Sequence, residues 1–307
     1  MTASLRALLA NVVDYAGLFP PAELPLDESI RNYARYLHEP EAWMLGRFIC
    51  PAARLVELEP YAAERFTLAS PLRVSALGSG GKTADEFLAG FERDVEWITA
   101  FKRRCGGRVT VDVLEVKLPP GAGVGFDFDS ERLKLFFEPA PGAEDWRRSI
   151  AAAMDVAMSA GHGSGFKLRT GGVEASAFPT SDQVAHAMVL ARAKSLPMKF
   201  TAGLHHPIRH FNKSVNAKMH GFVNVFVAGA MAYSSTSGPA QQPVEQLVAV
   251  LEEEDPTSFR FEDDALSWKD HHVKTEHVSL IREHHVISFG SCSFDEPRDD
   301  LRALGWL

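Results

Sequence analysis

Gly165-Phe-Lys-Leu-Arg-Thr-Gly-Gly172, answered one unit later by Pro197-Met-Lys-Phe-Thr-Ala-Gly-Leu-His-His-Pro207, decides how the chain is read. Each stretch opens as a short apolar run, carries a lysine inside that run and ends in a glycine turn. Short continuous apolar runs bounded by turn residues are the sequence form of parallel strands buried on both faces. A cation inside such a strand is costly unless it is paired or used chemically.

The same grammar extends in both directions. Apolar runs recur at 47–50, 72–77, 109–118, 134–137, 165–168, 198–201, 222–227 and 286–289. Residues 57–65, 83–104, 144–159, 181–195 and 243–253 carry apolar positions at i, i+3, i+4 and i+7, with Thr83 and Ser181-Asp182 as N-caps. Strand and helix alternating in this way predict an α/β fold, a (β/α)8 TIM-type barrel forming a single domain over 1–307. A doubly wound open sheet is the competitor, but no Gly-x-Gly-x-x-Gly follows the first strand. Residues 2–16 show helical spacing through Leu5, Leu8, Leu9, Val12 and Val13, and a second helix is expected from an Asp27 N-cap to Leu37. Residues 1–45 therefore read as an N-terminal helical extension and 46–307 as the barrel. Two places break the pattern. Only the Gly/Pro-rich 119–130 joins the third and fourth strands, and 228–284 form a long insertion between strands 7 and 8. Its 234–243 tract reads as a lid or as a plain surface loop.

The chain has 307 residues, 46% hydrophobic and 23% charged, enough to fill a large core. Its formal charge of −8, without any Lys/Arg-rich run, argues against nucleic acid, whose phosphates need clustered cations. A local cationic pocket still permits a small anionic substrate. Cys50, Cys105 and Cys292 form no Cys-x-x-Cys spacing, so a reducing, cytoplasmic setting is expected. No signal-peptide pattern and no 18-residue apolar stretch is present, and no membrane partner is expected. Neither a metal nor a cofactor is expected, and a homo-oligomer is compatible with the composition.

Barrel enzymes carry their chemistry at the C-terminal ends of the strands. Residues two apart on a strand share a face, so Glu115 with Lys117, Lys167 with Arg169, and Lys199 with Thr201 should each point together. Thr170, Gly171 and Gly172 follow in the first turn, and Asn224 and Ser288 lie on the later units. Lys167, Lys199 and Glu115 are the expected catalytic set, with the others binding substrate. Any one charged pair could be an ion-pair spacer inside a barrel. Two lysines and Arg169 on successive units point instead to a nucleophilic amine whose pKa is lowered by burial and like charge, and hence to Schiff-base chemistry.

His205-His206-Pro-Ile-Arg209-His210 is a second constellation. A helix expected to open at Pro207 would put His206 and His210 on one face at a metal-ligand spacing, without a third ligand in view. The same helix start would also suit a phosphate or carboxylate held by His205, His206 and Arg209, and a capping or packing role is the remaining reading. A metal-dependent hydrolase, a phosphoribosyltransferase-like enzyme and a non-catalytic ligand-binding barrel therefore stand as alternatives. Gly78-Ser-Gly-Gly-Lys-Thr83 lacks the first glycine of a P-loop, since Ala76 occupies that place, and is expected to be a turn plus N-cap. Cys50 and Cys292 are expected to be small buried thiols.

The two lysine stretches resemble the paired lysine strands of class I aldolases of the deoxyribose-phosphate aldolase type. Lys167-Leu-Arg-Thr-Gly171 is similar to that family's Lys-x-x-Thr-Gly, and Lys199-Phe-Thr-Ala-Gly203 to its second lysine strand. The resemblance implies Lys167 as Schiff-base former, Lys199 as its electrostatic partner, glycine turns near a substrate phosphate, and Glu115 or Glu138 as candidates for the proton shuttle. That family carries its lysines on the sixth and seventh strands, whereas the count here gives the fifth and sixth. Arg169 stands where the family has a small residue.

Overall fold

In the computed structural model of the chain, which describes residues 1–121, 133–140, 145–161, 163–234 and 244–307, the strands are β1 (Val13–Tyr15), β2 (Leu45–Pro51), β3 (Leu72–Leu77), β4 (Val109–Lys117), β5 (Lys134–Glu138), β6 (Gly165–Arg169), β7 (Met198–Thr201), β8 (His210–Asn212), β9 (Ala217–Met219), β10 (Phe259–Phe261), β11 (Ala265–Trp268), β12 (His271–Lys274) and β13 (Val286–Ser291). The helices are α1 (Ala3–Leu9), α2 (Leu26–Tyr36), α3 (Glu59–Arg65), α4 (Ala84–Cys105), α5 (Trp146–Ala160), α6 (Ser181–Ala193), α7 (Phe222–Ser234), α8 (Val244–Leu251), α9 (Thr275–His284) and α10 (Asp295–Ala303). Eight strands close into a barrel in the order β1-β13-β7-β6-β5-β4-β3-β2, with parallel neighbours. This is the expected α/β barrel. β8-β9 form a separate hairpin and β10-β11-β12 a separate antiparallel meander, both within the connection between the last two barrel strands.

Two members of the barrel differ from the sequence expectation. Residues 222–227 open α7 and are not a strand; residues 222–232 are all buried. A helix that is apolar on every side loses the amphipathic period that would distinguish it from a buried strand. The strand that takes its place in the count is β1, which the helical spacing of residues 2–16 concealed. α1 ends at Leu9, and Asn11 takes a left-handed conformation at φ +50°, which asparagine tolerates, to turn the chain into β1. The barrel thus begins at Val13, inside the supposed helical extension. Lys167 and Lys199 consequently lie on the sixth and seventh barrel strands in chain order.

Helix starts follow local chemistry. Thr83 caps α4 as expected, accepting from Glu86 N. α6 is capped by Thr180 in a reciprocal box with Gln183, one residue before the expected Ser181-Asp182 cap. α2 begins behind Pro25, and Asp27 accepts from Arg31 and the Tyr61 hydroxyl instead of capping. The 234–243 lid reading and the 119–130 connection fall mostly outside the described residues.

Contacts divide the chain into two compact units, one of residues 13–167 and one of residues 1–12 with 168–307. In the first, Asp14 is fully buried and accepts from Arg47 N at 2.6 Å. The Arg47 guanidinium forms a two-point pair with Asp112 at 2.8 and 2.6 Å. Tyr15, Tyr33, Tyr36 and Phe48 pack edge-on or tilted against one another around β2, so Tyr15 fills this core. The Gly78-Ser79 turn gives both its Ser79 amide and hydroxyl to buried Asp94 at 2.7 Å. A carboxylate there excludes a phosphate, so the turn-plus-cap reading stands.

In the second unit Phe200, Phe222, Phe226 and Phe289 form a contiguous aromatic core. Arg282 on α9, 6% exposed, donates to the carbonyls of Leu8 (2.6 Å), Ala10 (2.9 Å), Val286 and Ile287. One guanidinium therefore binds the backbone at the end of α1 and at the start of β13. α1 is also held at its own start, where Ala3 N and Ser4 N donate to Asp263 and Glu262 of the meander turn.

Candidate active site

β4, β5 and β6 bring three expected site residues together. Lys167 Nζ lies 2.8 Å from Glu115 Oε2 and 3.2 Å from Glu138 Oε2. The three residues are 6%, 4% and 5% exposed. Glu115 Oε1 accepts from the buried Ser75 hydroxyl at 2.7 Å. Strand alternation produces this cluster: Glu115 and Glu138 sit near the C-terminal ends of β4 and β5, where the register pairs Lys117 with Glu138. Burial, the largest single influence on Lys167, disfavours its charge. Glu115 and then Glu138 together outweigh burial and hold the ammonium above the usual lysine range. The sequence reading expected like charge to push this amine down; oppositely charged neighbours do the reverse. Lys117 is exposed at the C-terminal end of β4.

The residues after Lys167 belong to the other unit. Arg169 is exposed at the end of β6 and Thr201 half-buried at the end of β7. Lys199 is 1% exposed and pairs in register with Ser288 of β13, itself buried. The Thr170 hydroxyl donates toward the carbonyls of Thr201 and Ala202, at 3.2 and 2.5 Å, and its amide donates to Thr201 at 2.8 Å. The two glycine turns thus lock onto each other. A Cβ on Gly171 would come within 2.7 Å of Gly203 Cα and 2.6 Å of the Phe178 ring, and a Cβ on Gly172 within 2.7 Å of Ala177. These glycines serve loop-to-loop packing, so Gly171→Ala should lower the unfolding free energy in a urea titration by about 1–3 kcal/mol through overpacking.

The His205–His210 segment does not start a helix. It runs into β8, and the first amides of α7, from Phe222 and Val223, donate to the carbonyls of His206 and Pro207. The expected anion site at a helix start is therefore absent, and His210 lies on a strand. Asn224 is committed to the fold: its amide nitrogen donates to Val250 O and Glu253 O at 2.8 Å, and its oxygen accepts from Arg209 N at 2.9 Å. Arg209 directs its guanidinium to the Ser181 hydroxyl and to His220 Nδ1. His220 Nε2 donates to Pro179 O at 2.7 Å, leaving Nδ1 to accept; burial first, aided by Arg209, lowers its pKa to about 4.

His205 and His206 instead meet two acids that sequence reading passed over. His205 Nδ1 lies 3.0 Å from Glu296 and His206 Nδ1 2.5 Å from Asp300, both on α10. The four-residue spacing of these acids on the last helix was a visible signal, but nothing local links α10 to a loop ninety residues earlier. Among the described residues no group of three or more His, Cys, Asp or Glu side chains is arranged to hold a metal ion. Burial pushes the Cys50 thiol up to about 12, which makes it inert packing at neutral pH. Among the described residues no helix is long and apolar enough to cross a membrane. No protein-family profile and no curated protein matches the chain.

Proposed function

We propose that the protein is a lyase of the class I aldolase type, in which Lys167 forms a Schiff base with a small anionic carbonyl compound. The observation that supports it is the Lys167 ammonium held by two carboxylates inside a barrel strand, near the end where barrel enzymes act. Its position on the sixth barrel strand, with Lys199 on the seventh, agrees with the family that the two lysine stretches resemble.

A raised lysine pKa fits this chemistry once the iminium is considered. Glu115 or Glu138, already in hydrogen-bond contact, accepts a proton from Nζ as the carbonyl carbon approaches. The nitrogen lone pair adds to that carbon and the carboxyl group gives its proton to the former carbonyl oxygen; a second proton then passes from the nitrogen through the same carboxylate to the new hydroxyl, and water leaves. The resulting iminium carries its positive charge where the ammonium stood, between the same carboxylates, which therefore stabilise it. The Ser75 hydroxyl keeps Glu115 oriented. Lys117, exposed at the C-terminal end of β4 in the same unit as Lys167, is a cation suited to a phosphate or carboxylate of the substrate.

Enamine formation from such an iminium exchanges the hydrogens on the carbon beside the carbonyl. A panel of small keto acids, aldehydes and sugar phosphates in D2O, followed by proton NMR, should show enzyme-dependent loss of those signals for at least one compound. Lys167→Arg, which keeps a cation but has no amine nucleophile, should abolish the loss. Absence of exchange across the panel, or exchange unchanged in Lys167→Arg, rejects the reading.

A further inference from the structure

We propose that the two carboxylates around Lys167 have different tasks: Glu138 carries the protons, while Glu115, fixed by Ser75, supplies a standing countercharge. The assignment rests on the lyase reading above. All four residues lie in the unit of residues 13–167, and strand register separates the two acids in depth. β4 and β5 pair Glu115 with Phe136 and Lys117 with Glu138. Glu138, the last residue of β5, therefore stands two residues, about 7 Å of strand, nearer the C-terminal end of the barrel than Glu115. Their side chains follow that order, 7% exposed for Glu138 and 2% for Glu115. Barrel enzymes bind substrate at the C-terminal end, so Glu138 is the acid that an incoming carbonyl compound meets first.

The hydrogen bonds draw the same distinction. Glu115 engages both oxygens within the fold: Oε1 accepts from the buried Ser75 hydroxyl at 2.7 Å and Oε2 from Lys167 Nζ at 2.8 Å. Passing a proton to a substrate atom would require Glu115 to turn away from one of these donors. Such a doubly held carboxylate is preorganised as a fixed charge. Glu138 Oε2 holds Lys167 by a longer contact, 3.2 Å. A proton carrier must release as readily as it accepts, and the more loosely held acid nearer the mouth meets that need.

The proton step balances without an oxidant or reductant. In the iminium on Lys167, Glu138 takes a proton from the carbon beside the former carbonyl carbon. The C–H electron pair becomes the carbon–carbon double bond of an enamine, and the C=N pair moves to nitrogen, which becomes neutral. In the reverse direction the Glu138 carboxyl group returns the proton to carbon and the nitrogen regains its charge. Glu115 stays ionised throughout and faces that charge.

The test uses the full chain with hydroxyacetone, pyruvate and dihydroxyacetone phosphate in D2O. Borohydride-dependent mass gain gives the fraction of chain held as imine, and loss of the proton signals beside the carbonyl gives the exchange rate. Their ratio is the rate per imine. Glu138→Gln leaves Lys167 paired with Glu115; it should keep the imine fraction within about threefold and lower the rate per imine about 100-fold or more. Glu115→Gln should do the opposite, lowering the imine fraction about 10-fold or more while the rate per imine stays within about threefold of the parent. Ser75→Ala should lower the imine fraction in the same direction and leave the rate per imine unchanged. Glu138→Asp, which keeps the charge but withdraws it by one methylene, should also lower the rate per imine with the adduct retained, and it serves where the glutamine variant does not fold. Parent-like exchange per imine in the Glu138 variants, or a fall in Glu115→Gln as large as that in Glu138→Gln, overturns the division and leaves the lyase reading intact. Absence of an adduct with all three compounds in the parent protein overturns both.

Discussion

Lys167→Met lowers the free energy of unfolding by about 3–5 kcal/mol at pH 7, the usual cost of removing one partner from a buried ion pair. Methionine fills the volume of the lysine stem, so the loss comes from Glu115 and Glu138 being left buried without their cation. The pH dependence distinguishes this cause from a packing defect. In the parent chain the folded-state pKa of Lys167 is raised. Its contribution is therefore complete below the ordinary lysine value and is lost only as pH rises through the folded value, on the alkaline side. In the variant the titrating groups are the two carboxylates, whose neutral forms burial favours. The deficit should shrink as pH falls below neutrality and these groups take up protons. Urea titrations at pH 5 and pH 8 measure it; an equal deficit at both values contradicts the electrostatic cause. Adding Glu115→Gln to Lys167→Met should recover part of the loss at pH 8.

Arg282→Met is expected to destabilise by at least about 3 kcal/mol, since a buried acceptor left unpaired costs about 1–3 kcal/mol and several lose their donor together. The carbonyls of Leu8, Ala10, Val286 and Ile287 all depend on this guanidinium. The effect is regional as well as global. Amide hydrogen exchange should show residues 3–12 losing protection at denaturant concentrations where the core of residues 13–167 retains it. Uniform loss of protection would mean that Arg282 is not the tie that holds α1.

How much of this was legible in the sequence depended on whether a local pattern mirrored a local cause. β2 to β7 and β13 were visible as short apolar runs because parallel barrel strands are buried on both faces. β1 was not, since its three residues continue the helical spacing of α1 and only the turn at Asn11 separates them. α7 failed for the opposite reason: every face of it is covered, so its run carries no period. These two errors cancelled in the count of eight and displaced the lysines by one strand. Glu115 and Lys167 were found as charges inside apolar runs, but the sign of their coupling was not, because pairing across β4, β5 and β6 is set by register. Glu138, named only as a candidate proton shuttle, turned out to complete the cluster. Asn224 and Arg209 were polar residues at plausible positions whose hydrogen-bond partners lie on distant elements and could not be read locally. Asp300 and Glu296 were missed because their counterparts lie in a loop far away in sequence.

Under the proposed mechanism Lys167 forms a covalent imine. Its most direct test is borohydride reduction of the parent chain in the presence of the compound that gives the fastest exchange, followed by protease digestion and mass spectrometry. A single reduced adduct is expected on the peptide containing Lys167, with Lys199 unmodified. An adduct confined to Lys199, or none on either lysine with a compound that the protein turns over, would contradict it.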